Sequence, residues 1–209
     1  MIAFTVGLIT GFFMSIPIGP INVMVINTQI KKNSAHALAI ALGGSVMDFF
    51  YFFVILSGLS LFSFSQNMKT ALQVGAILLI FILGAKEFFF AIGSLPSNLG
   101  TQKFSRGRFS AFFWGVVIYV CNPTLIVTIT GLGAFIKSLS IFEFSRANVM
   151  LVSLGVAFGG FAWFVLLGKI VAHFEGKIRM NYLTRFNKIS GLLMVSFAIY
   201  MGVRLLSQI

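Results

Sequence analysis

From Ile2 to Ile26 the chain carries no charged residue, and it returns to apolar sequence five more times. A bilayer is crossed by about 20 consecutive apolar residues in a helix, so the first run is long enough to span one. A removable secretory leader would want a basic start and a shorter apolar core. The run is therefore read as a first transmembrane helix. The later runs cover about 37–62, 70–92, 110–136, 147–167 and 189–206.

With 58% hydrophobic residues, 26 Phe, 9% charged residues and a mean hydropathy of +1.02, the 209 residues cannot hide their apolar surface in one water-soluble core. Six spans consume nearly the whole chain and leave no room for a soluble domain. The expected fold is an all-α integral membrane protein in the lipid bilayer, one transporter domain over 1–209.

The formal charge of +11 suggests a nucleic-acid partner at first, but the cations sit in short turns between apolar runs, not on one basic face. Lys31, Lys32, Lys103, Arg106, Arg108, Lys169, Lys177, Arg179, Arg185 and Lys188 fall in the first, third and fifth links. Only Lys69, Lys137 and Arg146 fall in the second and fourth. Cytoplasmic loops collect Lys and Arg. That bias puts the odd links in the cytoplasm and both termini outside; the expected location is the bacterial cytoplasmic (inner) membrane, crossed several times. No nucleic-acid partner is expected.

Small residues at Gly7, Gly11 and Ser15 repeat every fourth position, a spacing that lets a second helix approach the backbone. Gly19 is different, because Pro17 and Pro20 flank it. Proline lacks a backbone N–H and clashes with the turn before it. The carbonyls it frees must be satisfied by protein or water, so such a break belongs in a packed or wet place. The fourth run is interrupted in the same way at Asn122 and Pro123.

A faint duplication supports that parallel. Leu42-Gly43 and Leu154-Gly155 open similar stretches, and Gly84-Ala85-Lys86 resembles Gly202-Val203-Arg204. Blocks of three helices each, about 1–94 and 110–209 with a cytoplasmic linker at 95–109, would lie upside down relative to one another. Such inverted repeats place their binding sites near the midplane beside interrupted helices.

The rise of a helix, ~1.5 Å per residue, puts Pro17 roughly 22 Å below the outer end of the first span and Asp48 roughly 16 Å above the inner end of the second. The same rule puts Asn122 about 18 Å from the inner end of the fourth. All three therefore converge on one level. Asp48 is the only acid of its run, and a carboxylate there costs roughly 2.5–3.5 kcal/mol on insertion scales. It should face a cavity or a partner; the bland partner is Lys86, in a static bridge joining two helices. Lys86 and Glu87 are neighbours and point about 100° apart, so one faces inward while the other snorkels. Tyr119, Asn122, Thr124 and Thr128 surround the second break.

No enzyme constellation is visible. His36 and His173 lie in or beside links without Cys, Asp or Glu at ligand spacing, and the single Cys121 offers neither a disulfide nor a thiolate metal site. No Gly-rich phosphate loop is present. Neither a cofactor nor a metal is expected.

The pieces Pro17-Ile18-Gly19-Pro20-Ile21-Asn22, Gly43 to Asp48 leading into an aromatic helix that ends Leu56-Ser57-Gly58-Leu59, and Asn122-Pro123, in that order, resemble the lysine exporter superfamily of LysE and RhtB type. The inserted Ile18 and the continuation Thr124-Leu125, where that family often has a lysine, depart from its usual pattern. The resemblance implies a six-helix exporter that uses the proton gradient to move amino acids or similar small solutes out of the cytoplasm. By matched position it implies that Pro17, Gly19, Pro20, Asp48, Asn122 and Pro123 line or shape the pathway.

Asp48 is accordingly expected to bind a proton or the solute's ammonium group, with Asn22 and Asn122 taking its polar parts and Lys86, Glu87 and Tyr119 beside the route. The competing readings are a non-transporting membrane subunit, whose buried polar groups are static glue, and an inorganic-ion exporter of the same superfamily. Assembly into a homo-oligomer stays open at this level.

Overall fold

The computed structural model describes residues 1–17, 19–61, 65–89, 107–121, 123–173 and 180–206. Among them the secondary structure is helical throughout: α1 Ile2–Ser15, α2 Pro20–Lys31, α3 Ser34–Ser60, α4 Gln66–Phe89, α5 Arg108–Val120, α6 Pro123–Ser138, α7 Arg146–His173 and α8 Met180–Leu206. Three stretches, Ser34–Ser60, Gln66–Lys86 and Arg146–His173, are long and apolar enough to cross a bilayer by themselves. The linker expected at 95–109 falls largely outside the described residues, as do Asn122, Lys177 and Arg179.

The first apolar run is two helices. Between Ser15 and Pro20 the axis turns by 73°. Pro17 has no N–H for the Phe13 carbonyl, which takes the Ile16 N–H instead at 3.3 Å. Gly19, extended at φ −93° and ψ −178°, then caps α2, and Pro20 occupies the first helical position. Proline suits that position because its missing N–H would have no intrahelical partner there. The fourth run divides likewise: α5 closes with the Cys121 N–H on Val117 O at 2.9 Å, and α6 begins at Pro123.

Several helices outrun their apolar cores. The segment from Lys169 to Lys188, expected as a link, is helical over 169–173 and 180–188. Hydropathy marks where lipid-compatible side chains stop, whereas backbone hydrogen bonding continues into the polar boundary as long as the chain satisfies it. His36 likewise belongs to the first turn of α3, where the Asn33 side chain accepts its backbone N–H at 3.1 Å.

Packing is organised by glycine. The buried face of α1 consists of Ala3, Gly7, Gly11 and Ser15, and it lies on α7. A Cβ added at Gly7 would sit 2.1 Å from Val152 O, and one at Gly155 would sit 2.3 Å from Phe4 O and 2.8 Å from the Leu8 nitrogen. The helices meet backbone to backbone, the geometry small residues permit inside membranes.

The α3–α5 pair reproduces these contacts. A Cβ at Gly115 would lie 2.1 Å from Ile40 O, and one at Gly43 would lie 2.2 Å from Phe112 O and 3.1 Å from the Val116 nitrogen. One constant shift in residue number carries Phe4, Gly7 and Leu8 onto Phe112, Gly115 and Val116. A second carries Ile40 and Gly43 onto Val152 and Gly155. Further contacts join α3 to α7, α4 to α8, α2 to α7 and α3 to α6.

Two apolar clusters surround the α3–α7 contact. One gathers Met24, Val25, Ile40, Trp163 and Phe164; the other gathers Phe52, Leu56, Val149, Val152 and Val156. Phe13, Phe50, Val54 and Phe158 point outward and are more than half exposed. That is the arrangement expected when the surrounding solvent is hydrocarbon.

Candidate functional site

The site lies where both broken helices meet α3. Asp48, on α3, is 0% exposed. Its Oδ2 accepts a hydrogen bond of 2.9 Å from the Tyr119 hydroxyl, supplied by the last turn but one residue of α5. Its Oδ1 has no hydrogen-bond partner among the described residues. A buried carboxylate with one oxygen bonded and one free is costly, and it retains capacity for a proton or a cationic donor.

Tyr119 reaches Asp48 because α3 leaves it room. A Cβ at Gly44 would come within 2.7 Å of the Tyr119 ring and 2.3 Å of Ile21 Cδ1. The shift relating α1 to α5 maps Gly11 onto Tyr119, and the shift relating α3 to α7 maps Gly44 onto Val156. Gly11 in turn sits 2.1 Å, by its missing Cβ, from Val156 O. The large and small partners are thus exchanged between the two helix pairs. Asp48 itself maps onto Gly160, where a Cβ would lie 3.3 Å from Asp48 Oδ2 and 3.0 Å from Ser15 Oγ. Of the two corresponding positions, one carries a carboxylate and the other a glycine.

The first break closes on itself through Asn22. Its Nδ2 donates to Ser15 O at 3.2 Å and to Pro17 O at 2.9 Å, and its Oδ1 accepts the Trp163 indole N–H at 3.0 Å. These are the carbonyls the break releases, and a buried carbonyl must find a donor. Ser15 Oγ bonds back to Gly11 O at 2.8 Å. A cavity of about 60 Å³, the room of a few waters, borders this region. Ser15, Pro17, Gly19, Asn22, Tyr119, Leu125 and Phe164 are among its walls.

The structure therefore brings together Asp48, Tyr119, Ser15 and the ends of α1 and α5, with Pro17, Gly19, Pro20 and Asn22 on the adjoining cavity. Lys86 lies apart: it is exposed in the last turn of α4, and no ion pair joins it to Asp48 among the described residues. Glu87 and Pro123 are helical, but their side chains, like Asn122 and the Thr124 side chain, fall outside what is described. Among the described residues no three His, Cys, Asp or Glu side chains gather into a metal site. His173 is exposed at the end of α7.

Trp163 was not legible as a site residue, since a tryptophan inside an apolar run looks like lipid-facing or core surface. The pairing of Tyr119 with Asp48 had a readable signal in the small residues Gly43, Gly44 and Gly115, which mark α3 and α5 as close neighbours.

Long apolar helices, two of them replaced by broken pairs that meet beside a buried carboxylate, describe a multi-pass membrane translocator. The chain belongs to the LysE family: the family model described as LysE type translocator matches residues 12–205. It is 24% identical over 205 residues, 97% of this chain and 96% of the relative, to a Bacillus subtilis (strain 168) protein named "Putative amino acid efflux protein YcgF". No solved structure matches the chain.

Proposed function

We propose that this protein is a secondary exporter of amino acids or similar small solutes, coupled to protons and working by alternating access. Its six spans would form two inverted three-helix blocks, with α1–α2 and α5–α6 each serving as one broken span. The contact pattern supports this reading, because the α1–α7 and α3–α5 pairs exchange under the two residue shifts while α3–α7 and α4–α8 pair like with like. Asp48 would take up the proton, or the solute's ammonium group, from the side to which the site is open.

The observation that carries the proposal is Asp48 Oδ1, a fully buried carboxylate oxygen without a hydrogen-bond donor at the junction of two broken helices. A static structural acid would be expected to have both oxygens satisfied. A cavity bordered by Ser15, Asn22 and Tyr119 also favours a transporter over a subunit whose centre is packed solid. Asn22, fully engaged by Ser15, Pro17 and Trp163, is better suited to holding the break than to binding solute. Lys86 and Glu87 would then act, if at all, at the end of α4 and not at the carboxylate.

The test is flux in proteoliposomes carrying a pH gradient and a panel of amino acids. Asp48→Asn, which keeps shape and the bond from Tyr119, should abolish gradient-driven flux while the protein elutes and melts as the wild type does. Unchanged flux with unchanged response to the gradient would reject the role given to Asp48.

A further inference from the structure

Asp48 is not among the residues bordering the cavity, although Tyr119, which is bonded to it, is. Tyr119 therefore touches both. It borders the cavity; its hydroxyl ends on Asp48 Oδ2 at 2.9 Å; and its ring rests against Gly44, whose missing Cβ would fall 2.7 Å from it. Tyr119 is 3% exposed and Asp48 0%.

We infer that Tyr119 is a gate between the cavity and Asp48, latched by its hydroxyl on the carboxylate and given its seat by Gly44. This rests on the exporter reading and adds to it the residue that decides when the carboxylate is accessible. Three observations carry it beyond a plain core tyrosine. The ring occupies a place that exists only because α3 has glycine there, whereas the matching contact of the other helix pair, Gly11 on Val156, has no side chain that could swing. The latch is a bond to the one acid of the site, so a proton or ammonium arriving at Asp48 competes directly with it. Finally, Tyr119 is next to the last residue of α5, Val120, and so sits at the edge of the second break.

Tyr119 acts here as a positioning residue, since the hydroxyl need not itself be transferred. When the site opens, the ring leaves Gly44, the cavity extends to Asp48, and both carboxylate oxygens become available. A bond to an ionised or polar partner of this kind is worth enough that losing it should raise the open population about tenfold.

Access to Asp48 can be read without any transport assay, by the rate at which a small carbodiimide modifies it in the purified full-length protein at fixed pH, followed by peptide mass spectrometry. Wild type should react slowly at Asp48. Tyr119→Phe keeps the ring and removes the latch, and should speed modification about tenfold; Tyr119→Ala, which removes the ring, should speed it further. Gly44→Ala, whose methyl would fall 2.3 Å from Ile21 Cδ1 and 2.7 Å from the Tyr119 ring, must displace both and should also raise the rate. Equal rates in wild type and in a folded Tyr119→Phe protein would overturn the gate, and so would a fast wild-type rate equal to that of Tyr119→Ala. The failure of the exporter reading is separate: it would show as unchanged flux in Asp48→Asn, whatever the modification rates are.

Discussion

The indole N–H of Trp163 meets Asn22 Oδ1 at 3.0 Å, while the two amide hydrogens of the same asparagine hold Ser15 O and Pro17 O. One side chain thus closes the proline break of the first span and ties it to α7. The arrangement explains how a chain can break a helix among apolar neighbours, because two carbonyls left where the helix stops are met by protein and not by lipid.

Asn22→Ala should therefore be among the more damaging substitutions. It leaves two carbonyls and an indole N–H without their partners, and each unsatisfied buried group costs about 1–3 kcal/mol. Some relaxation or water entry from the cavity will recover part of that, so a net loss of about 3 kcal/mol is expected. Trp163→Phe keeps the ring packing and loses one bond, which should cost about 1 kcal/mol. Thermal melting in detergent would check the order; equal midpoints for wild type and Asn22→Ala would show that the clamp contributes nothing.

Glycines should separate into two groups. At Gly7 an added Cβ falls 2.1 Å from the Val152 carbonyl oxygen, and at Gly159 2.1 Å from that of Leu8. Backbone cannot swing aside as a side chain can, so Gly→Ala at either position should part α1 from α7 and destabilise by about 1–3 kcal/mol or more. Gly58 and Gly75 have nothing within 4 Å, and alanine there should stabilise by about 0.5–1 kcal/mol through helix propensity. The same melting assay reads both signs.

Lys86 provides a test of what Asp48 depends upon. It is exposed at the end of α4, and Asp48 is bonded to Tyr119 instead. Lys86→Ala should change the stability read from melting by no more than the ~0.5 kcal/mol usual for surface changes. A loss of several kcal/mol, as breaking a buried ion pair produces, would restore the helix-joining bridge and remove Tyr119 as the main partner.

Much of this was legible in the sequence, and the division has a physical basis. Rise per residue puts Pro17 and Asp48 at a similar depth without knowledge of the fold, and in the structure the Ser15 hydroxyl and the Asp48 carboxylate both border the space beside Gly160. The four-residue spacing of Gly7, Gly11 and Ser15 likewise marked a close helix contact, now seen against α7. Depth follows from length alone. Which helix faces which depends on rotational phase and on the order of neighbours, which hydropathy does not encode. Hence Lys86, the one lysine inside an adjoining apolar run, is the static partner the sequence offers for Asp48, whereas the residue bonded to it is the α5 tyrosine. Asn22 was read as a ligand for solute because an amide in an apolar run has no visible partner until the break folds back on it.

Gly160 tests whether the space around the carboxylate is itself functional. It occupies the position on α7 that corresponds to Asp48 on α3, and an added methyl would lie 3.0 Å from Ser15 Oγ, 3.3 Å from Asp48 Oδ2 and 3.8 Å from Gly11 O. None of these is a prohibitive clash, and the Ser15 hydroxyl can turn, so Gly160→Ala should fold with a loss of about 1 kcal/mol. Its effect on transport should be larger, because the methyl lies against the oxygen that Tyr119 holds and narrows the path any ligand takes to Asp48. Ser15→Gly should recover part of the stability, as neighbours sharing one space are coupled. It should leave transport impaired, since the contact with Asp48 persists. Full recovery of flux in the double variant would move the obstruction from the carboxylate to the Ser15 hydroxyl.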